Sequence, residues 1–100
     1  MFTVEQTVTF QRWLDGLRDS RAQKSIASRI RRMSVGNLGD VKVIGSGVSE
    51  MRIDYGPGYR LYFMRRGAMI ILLLAGGGKR TQKKDIDVAV AMAKEIRGRK

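Results

Sequence analysis

Residues 59–75, YRLYFMRRGAMIILLLA, form the stretch that decides the fold. Residues 59–64 alternate between the two sides of an extended chain, and Arg66-Gly67 is a short connection typical of a hairpin. The run that follows, residues 68–75, is apolar throughout. A continuous apolar run of this length predicts a central strand that is covered on both faces. The stretch therefore predicts two antiparallel strands, the second of them central.

Another strand precedes this pair. Strand character begins near Val48, and residues 50–55, EMRIDY, alternate between charged and apolar side chains. One face of this strand is therefore charged and the other apolar. Residues 55–58, YGPG, form a turn by composition. With the three glycines at 76–78 expected to break the last strand, the pattern predicts a three-stranded antiparallel meander.

The first third of the chain shows helical spacing. After a short strand at residues 2–4, Thr7 or Thr9 can cap a first helix, and the pattern restarts at Asp19 and stops near Gly36. We expect the two helices to form an antiparallel hairpin. Their apolar positions are Phe10, Trp13, Leu14, Leu17, Ala22, Ile26, Ile30 and Met33.

The remaining segments complete an α+β fold. Residues 36–47 are rich in glycine and are interpreted as mostly loop, and a last helix begins near Thr81 or Gln82. Residues 1–100 are too few for two independent cores, so we predict a single domain. The helices are expected to cover one face of the sheet and to leave the other face open and charged.

The net charge indicates a polyanionic partner. The chain has 20 Lys and Arg against 9 Asp and Glu, a formal charge of +11. Such an excess attracts phosphate backbones, and nucleic acid is the partner that we predict; charge serving solubility alone is the alternative. No segment resembles an export signal or a membrane span, so we expect a cytoplasmic protein without a membrane partner.

The residue inventory limits the possible chemistry. The chain has no His and no Cys, which excludes nucleophiles activated by either residue and the usual zinc sites. Its carboxylates form no dense cluster, and we expect neither a metal nor another cofactor. The segment GGGKRT at 76–81 lacks the spacing of a Walker motif, so nucleotide binding is not favoured.

Basic residues from three segments are expected to converge. Lys79, Arg80, Lys83 and Lys84 lie within six residues at the start of the last helix, where they oppose the helix dipole. Phosphate binding explains them better than helix stability does, although a solvated charge run is the alternative. If the meander pairs as predicted, the side chains of Arg52 and Arg60 reach the same face of the sheet. Flexible glycines at 76–78 would then bring the basic cluster at the start of the last helix to that face.

The sequence resembles the RelE/ParE superfamily of type II toxins, in particular its short, phage-related, HigB-like "addiction module killer" branch. The similarity extends roughly over residues 2–96. The segments that carry it are TVTF at 7–10, WL at 13–14, Leu17, MRI at 51–53, GPGYRLYF at 56–63, LLLAGGGK at 72–79 and QKKDI at 82–86.

The resemblance implies a toxin that is neutralised by a cognate antitoxin, commonly a helix-turn-helix protein. RelE-like members are endoribonucleases that cut mRNA on the ribosome without metal, by attack of a ribose 2′-OH on the adjacent phosphate, and so inhibit translation. By this resemblance Arg52, Arg60 and Arg80 are catalytic, and Glu50 is a possible base where such enzymes carry a lysine. Tyr62 is a further expected RNA contact.

The last helix departs from the family pattern. RelE-like enzymes often place a Tyr or His near its start, where this chain has Asp85, Ile86 and Asp87. An alternative function is therefore a ParE-like inhibitor of DNA gyrase, which needs no active-site chemistry of its own. A nucleic-acid-binding module without toxicity is another alternative.

Overall fold

The helices and strands follow the predicted order with one additional strand. A computed structural model describes residues 1–99. Within these residues no helix is long and apolar enough to cross a bilayer. The elements are β1 (Thr3–Gln6), α1 (Val8–Asp15), α2 (Ser20–Ser34), β2 (Val41–Gly45), β3 (Val48–Ile53), β4 (Tyr59–Arg66), β5 (Ile70–Gly78), a 3-10 turn (Lys79–Thr81) and α3 (Gln82–Gly98).

The sheet is mixed and has five strands in the order β1-β5-β4-β3-β2. Strands β2 to β5 form an antiparallel meander, and β1 pairs in parallel with β5. The sequence did not predict strand β2, which lies within residues 36–47, and the meander has four strands instead of three. Val41 and Val43 pair with β3 across a turn in which Ser46 and Gly47 have φ values of 55° and 80°. A tight turn with left-handed residues joins two strands rather than ending them.

Both N-terminal helices begin at predicted caps. The Thr7 hydroxyl accepts a hydrogen bond from the Phe10 amide (3.0 Å) and donates one to the carbonyl oxygen of Leu74 (2.6 Å), which ties α1 to β5. Asp19 accepts from the first amides of α2. The predicted hairpin is not matched in detail, because α1 packs on β5 whereas α2 lies beside β1.

Helices cover both faces of the sheet, so the prediction of an open face was wrong. The face that packs on α1 and α2, which we call the α1/α2 face, buries Phe10, Ile26, Met33, Met51, Ile53, Leu61, Phe63, Ile71 and Leu73. The opposite face, the α3 face, buries Val48, Tyr62, Met64, Leu72, Leu74, Ala75, Ala89 and Ala93. Strand β5 is thus covered on both sides, as its apolar run predicted.

The three glycines belong to β5 and do not break it. They pair with residues 59–61 of β4. A Cβ at Gly76 would lie 2.3 Å from the Trp13 ring, and one at Gly77 would lie 1.8 Å from Oδ2 of Asp85. The missing side chains therefore let α1 and α3 approach the sheet closely, and the prediction that these glycines break the strand was wrong.

Candidate functional site

A cleft of about 640 Å³ lies at the end of the sheet where β3 ends and β4 begins. The C-terminal half of α2, the segment before β2 and the turn between β3 and β4 form its walls. It is lined by Arg29, Arg32, Asn37, Gly39, Asp40, Arg52, Ile53, Asp54, Gly56, Pro57, Gly58, Tyr59, Arg60 and Lys79.

Positive charge dominates this cleft. Its lining contains five cationic side chains against the two carboxylates Asp40 and Asp54. The cations come from α2, β3, β4 and the segment after β5, which are far apart in the chain. Since the lining also contains only one Tyr and one Ile as large nonpolar groups, the cleft is suited to an anion with several charges.

Arg52 and Arg60 are directly opposite each other on β3 and β4. Like charges in this position repel, so each arginine needs a counter-charge. Arg52 has one in Asp40: its Nε donates to Oδ2 at 3.0 Å, and its Nη2 lies 2.9 Å from the same oxygen. Both side chains are more than half exposed. The pair is accessible to a ligand and contributes little to stability.

Arg60 has its counter-charge on the inner side. Its Nε lies 3.7 Å from Oε2 of Glu50, and the two side chains are only 12% and 2% exposed. Gln82, the first residue of α3, donates from Nε2 to the same oxygen at 3.0 Å. The Glu50 carboxylate is therefore turned away from solvent. It can orient Arg60, whereas the predicted role as a base would need access that this conformation does not provide.

Tyr62 lies beside this pair and is completely buried. Its hydroxyl has no hydrogen-bond partner among the described residues. Burial, and after it the negative charges of Glu50 and Asp85, raise the pKa of the Tyr62 phenol well above its usual range. The phenol is neutral at physiological pH, and its ring cannot contact RNA as predicted without a rearrangement.

The basic cluster at the start of α3 is divided. Lys79 lines the cleft, whereas Arg80, Lys83 and Lys84 are exposed outside its lining. Arg80 is thus outside the lining that Arg52 and Arg60 share, although the resemblance implies that all three arginines are catalytic. The cluster extends the positive surface of the cleft toward α3.

Asp85 lies in the first turn of α3. Its Oδ2 accepts a hydrogen bond from the Thr81 hydroxyl at 2.5 Å and lies over Gly77. Gly77 is the cross-strand partner of Arg60, so Asp85 sits on the same face of the sheet as the Arg60–Glu50 pair. Within residues 1–99 no group of three or more acidic side chains could hold a metal ion.

Several lining residues were not singled out from the sequence. Arg29 and Arg32 are three residues apart on the polar side of α2, a spacing that could have suggested one shared surface. Asp40, Asp54 and Tyr59 gave no such signal. Their place in the cleft depends on how the end of α2 meets the turn between β3 and β4.

Fold and cleft together define a strongly basic α+β domain with a five-stranded mixed sheet and a cationic cleft at one end. The chain is 43% identical over 93 residues to an uncharacterized protein from Haemophilus influenzae, and the match covers 93% of this chain and 94% of that protein. The chain belongs to the same protein family as this Haemophilus protein. No protein-family model matches it.

Proposed function

We propose that this protein is the toxin of a type II toxin–antitoxin system, a RelE/ParE-like endoribonuclease that cuts mRNA on the ribosome in the cytoplasm. The cleft carries the proposal, because cations from four separate segments meet there. The sequence resemblance over residues 2–96 supports it. The coarse order of the elements also supports the proposal: a first strand, two helices, an antiparallel meander and a last helix.

The proposed reaction is an internal transfer at phosphorus. The ribose 2′-oxygen forms a bond to the adjacent phosphorus, and the bond from phosphorus to the 5′-oxygen breaks. The products are a 2′,3′-cyclic phosphate and a 5′-hydroxyl, and one proton moves from the 2′-OH to the leaving oxygen. Arg52 and Arg60 stabilise the negative charge that develops on the phosphorane, a task for which preorganised cations are effective.

Proton transfer in this mechanism falls to groups that line the cleft. Glu50 is nearly buried and engaged by Gln82 and Arg60, so we assign it the positioning of Arg60. Asp54 lines the cleft and forms no salt bridge within residues 1–99, which makes it our candidate for the base. Arg80, Lys83 and Lys84 hold the RNA backbone outside the cleft. Lys79, which lines the cleft, holds the RNA backbone at the edge of the cleft.

The direct test adds the purified protein to a translation reaction and maps the ends of the mRNA. We expect cuts in phase with codons. Arg52→Gln should slow single-turnover cleavage by roughly a hundredfold, since a cation at the phosphorane acts mainly on the transition state. Arg52 is exposed, so the variant should remain folded. Arg12→Gln, an exposed residue of α1, is the matched control. Intact mRNA with the wild-type protein would contradict the proposal.

Inhibition of DNA gyrase is the second candidate, and one observation favours it. Asp40 is paired with Arg52, and Glu50 is paired with Arg60, so few carboxylates near the cleft are free to move protons. A supercoiling assay run in parallel separates the two functions. Inhibited supercoiling with intact mRNA would favour the hypothesis that the protein inhibits DNA gyrase.

The proposed antitoxin, a helix-turn-helix protein, must neutralise the charge of +11. We expect it to cover the cleft with an acidic or amphipathic segment, so that its affinity falls with increasing salt.

A further inference from the structure

A second basic surface lies at the other end of β4. A depression of about 400 Å³ is lined there by Met64, Arg65, Arg66, Gly67, Ile96, Arg97 and Arg99. We call it the arginine surface. Two of its arginines come from the end of β4 and two from the end of α3, so two separate elements contribute charge.

Structural contacts account for part of this charge. Arg65 lies over the Phe2 ring at 4.8 Å from its centroid, and Arg97 donates to the carbonyl oxygen of Ser46. Cations at the end of α3 also suit the helix dipole, but those of β4 gain nothing from it. The one ion pair on this surface within the described part of the chain joins Arg99 to Glu95, and it is largely exposed. The lining therefore contains four arginines, and only Arg99 among them is paired with a carboxylate.

The chemistry of the lining favours a phosphate backbone over a protein. Protein interfaces usually centre on exposed apolar or aromatic side chains. The exposed large apolar residues are Met1, Val8, Val35, Val43, Met69 and Val88, and none of them lines this depression. Guanidinium groups bind phosphate oxygens in a bidentate manner. The surface has the composition of a phosphate site without an apolar anchor.

The two basic surfaces are too far apart for one phosphate group. Arg60 in the cleft and Arg66 on the arginine surface are on the same strand, six residues apart, and a strand rises about 3.3 Å per residue, which gives about 20 Å. Helix α3 has the cation cluster at its start and Arg97 in its last turn. A partner that touches both surfaces must be an extended polyanion.

We infer that the arginine surface is a second RNA-backbone site, which binds structured RNA outside the strand that occupies the cleft. This inference rests on the proposed RNA target. The cleft would hold the strand to be cut, and the arginine surface would hold a folded RNA such as that of the ribosome. Phosphate contacts of this kind are independent of sequence and release counterions.

The test uses Arg66→Ala/Arg99→Ala, which spares Arg65 and Arg97 and breaks only the exposed Arg99–Glu95 pair. The control Arg12→Ala/Arg18→Ala removes equal charge from exposed positions elsewhere. The probe is an RNA hairpin of about 20 base pairs, with binding measured over a salt series. Loss of two phosphate contacts should flatten the slope of log K against log[salt] by about two units, and the control should change it far less. Binding of a short single-stranded RNA, which the cleft alone can hold, should stay unchanged in both.

Each alternative result has a separate meaning. Equal flattening by the two double variants would show an effect of net charge alone and overturn the inference. Loss of binding to polyglutamate, with hairpin binding intact, would assign the surface to an acidic protein and overturn it as well. If the wild-type protein binds neither the hairpin nor the single strand, then the proposed RNA target itself fails. Hairpin binding that depends only on Arg52 and Arg60 would leave the proposed function standing and overturn this inference.

Discussion

The two faces of the sheet differ in what they bury. The cluster on the α1/α2 face is apolar throughout. On the α3 face, Glu50 is buried next to Arg60 and Tyr62, and the Arg60 Nε and Tyr62 hydroxyl are buried without hydrogen-bond partners among the described residues. Buried polar groups of this kind cost stability. Both faces therefore stabilise the fold by burying apolar side chains, and the α3 face in addition holds charge in place beside the cleft.

The largest effect is expected from breaking the charge pair on the α3 face. Arg60→Ala leaves the Glu50 carboxylate 2% exposed with Gln82 as its remaining partner. Removing one member of a buried ion pair costs about 4 kcal/mol of the free energy of unfolding. Urea denaturation followed by circular dichroism measures this loss. The sequence alone predicted an open face for Arg60, and its burial on the α3 face is what makes a large loss of stability expected.

The double variant Arg60→Ala/Glu50→Gln sharpens this prediction. A neutral amide at position 50 keeps most of the shape of Glu50 and removes the unpaired charge, so most of the lost stability should return. The double variant is then the proper protein for testing the role of Arg60 in cleavage. Equal stability of the single and double variants would mean that the pair is not what holds this face together.

A smaller effect is expected from Leu61, the next residue along β4, whose side chain is fully buried on the α1/α2 face. Leu61→Ala removes core volume and should cost about 3 kcal/mol. Because Leu61 carries no charge and is not itself part of the cleft lining, cleavage by the folded fraction should stay within about twofold of wild type. Thermal denaturation and single-turnover kinetics below the melting temperature provide the two readouts. If fully folded Leu61→Ala cleaved much more slowly than wild type, the α1/α2 face would also take part in cleavage, and the two faces would not differ in this respect.

The sequence predicted most elements because each had a local signal. Thr7 and Asp19 cap their helices, and the run at 68–75 indicated a strand that is covered on both faces. Strand β2 was missed because its glycine-rich surroundings resemble a loop and its pairing with β3 is a tertiary fact. The glycines at 76–78 were misread for a related reason. Only the positions of Trp13 and Asp85 reveal that the sheet needs small residues there.

The site was less predictable than the fold. Alternation along β3 and β4 correctly brought Arg52 and Arg60 to one face. Periodicity alone could not show that α3 covers part of that face and buries Glu50 and Tyr62. The contribution of Arg29 also depends on a contact between segments distant in sequence. Charge patterns thus indicated the kind of ligand, and packing decided which charges can reach it.

The smallest effect at neutral pH is expected for Tyr62→Phe. The hydroxyl is buried without a partner among residues 1–99, so its removal relieves a desolvation cost and leaves only a small void. Stability at pH 7 should rise or stay within about 1 kcal/mol of wild type. A buried tyrosine that was held by its hydroxyl would instead lose stability.

The pH dependence of stability of the same variant tests whether burial raises the pKa of Tyr62. Burial, with the charges of Glu50 and Asp85, raises the pKa of Tyr62 in the folded protein above the ordinary value of about 10. Above that pH the unfolded chain loses the phenolic proton while the folded protein keeps it. The contribution of Tyr62 to the free energy of unfolding is therefore complete below pH 10. Above pH 10 this contribution decreases by about 1.4 kcal/mol per pH unit. Urea denaturation of both proteins from pH 7 to 11 should show wild type losing stability faster than Tyr62→Phe above pH 10. Parallel curves of stability against pH would show that the phenol ionises as easily in the folded protein as in the unfolded chain. Burial beside Glu50 and Asp85 would then not affect the ionisation of Tyr62.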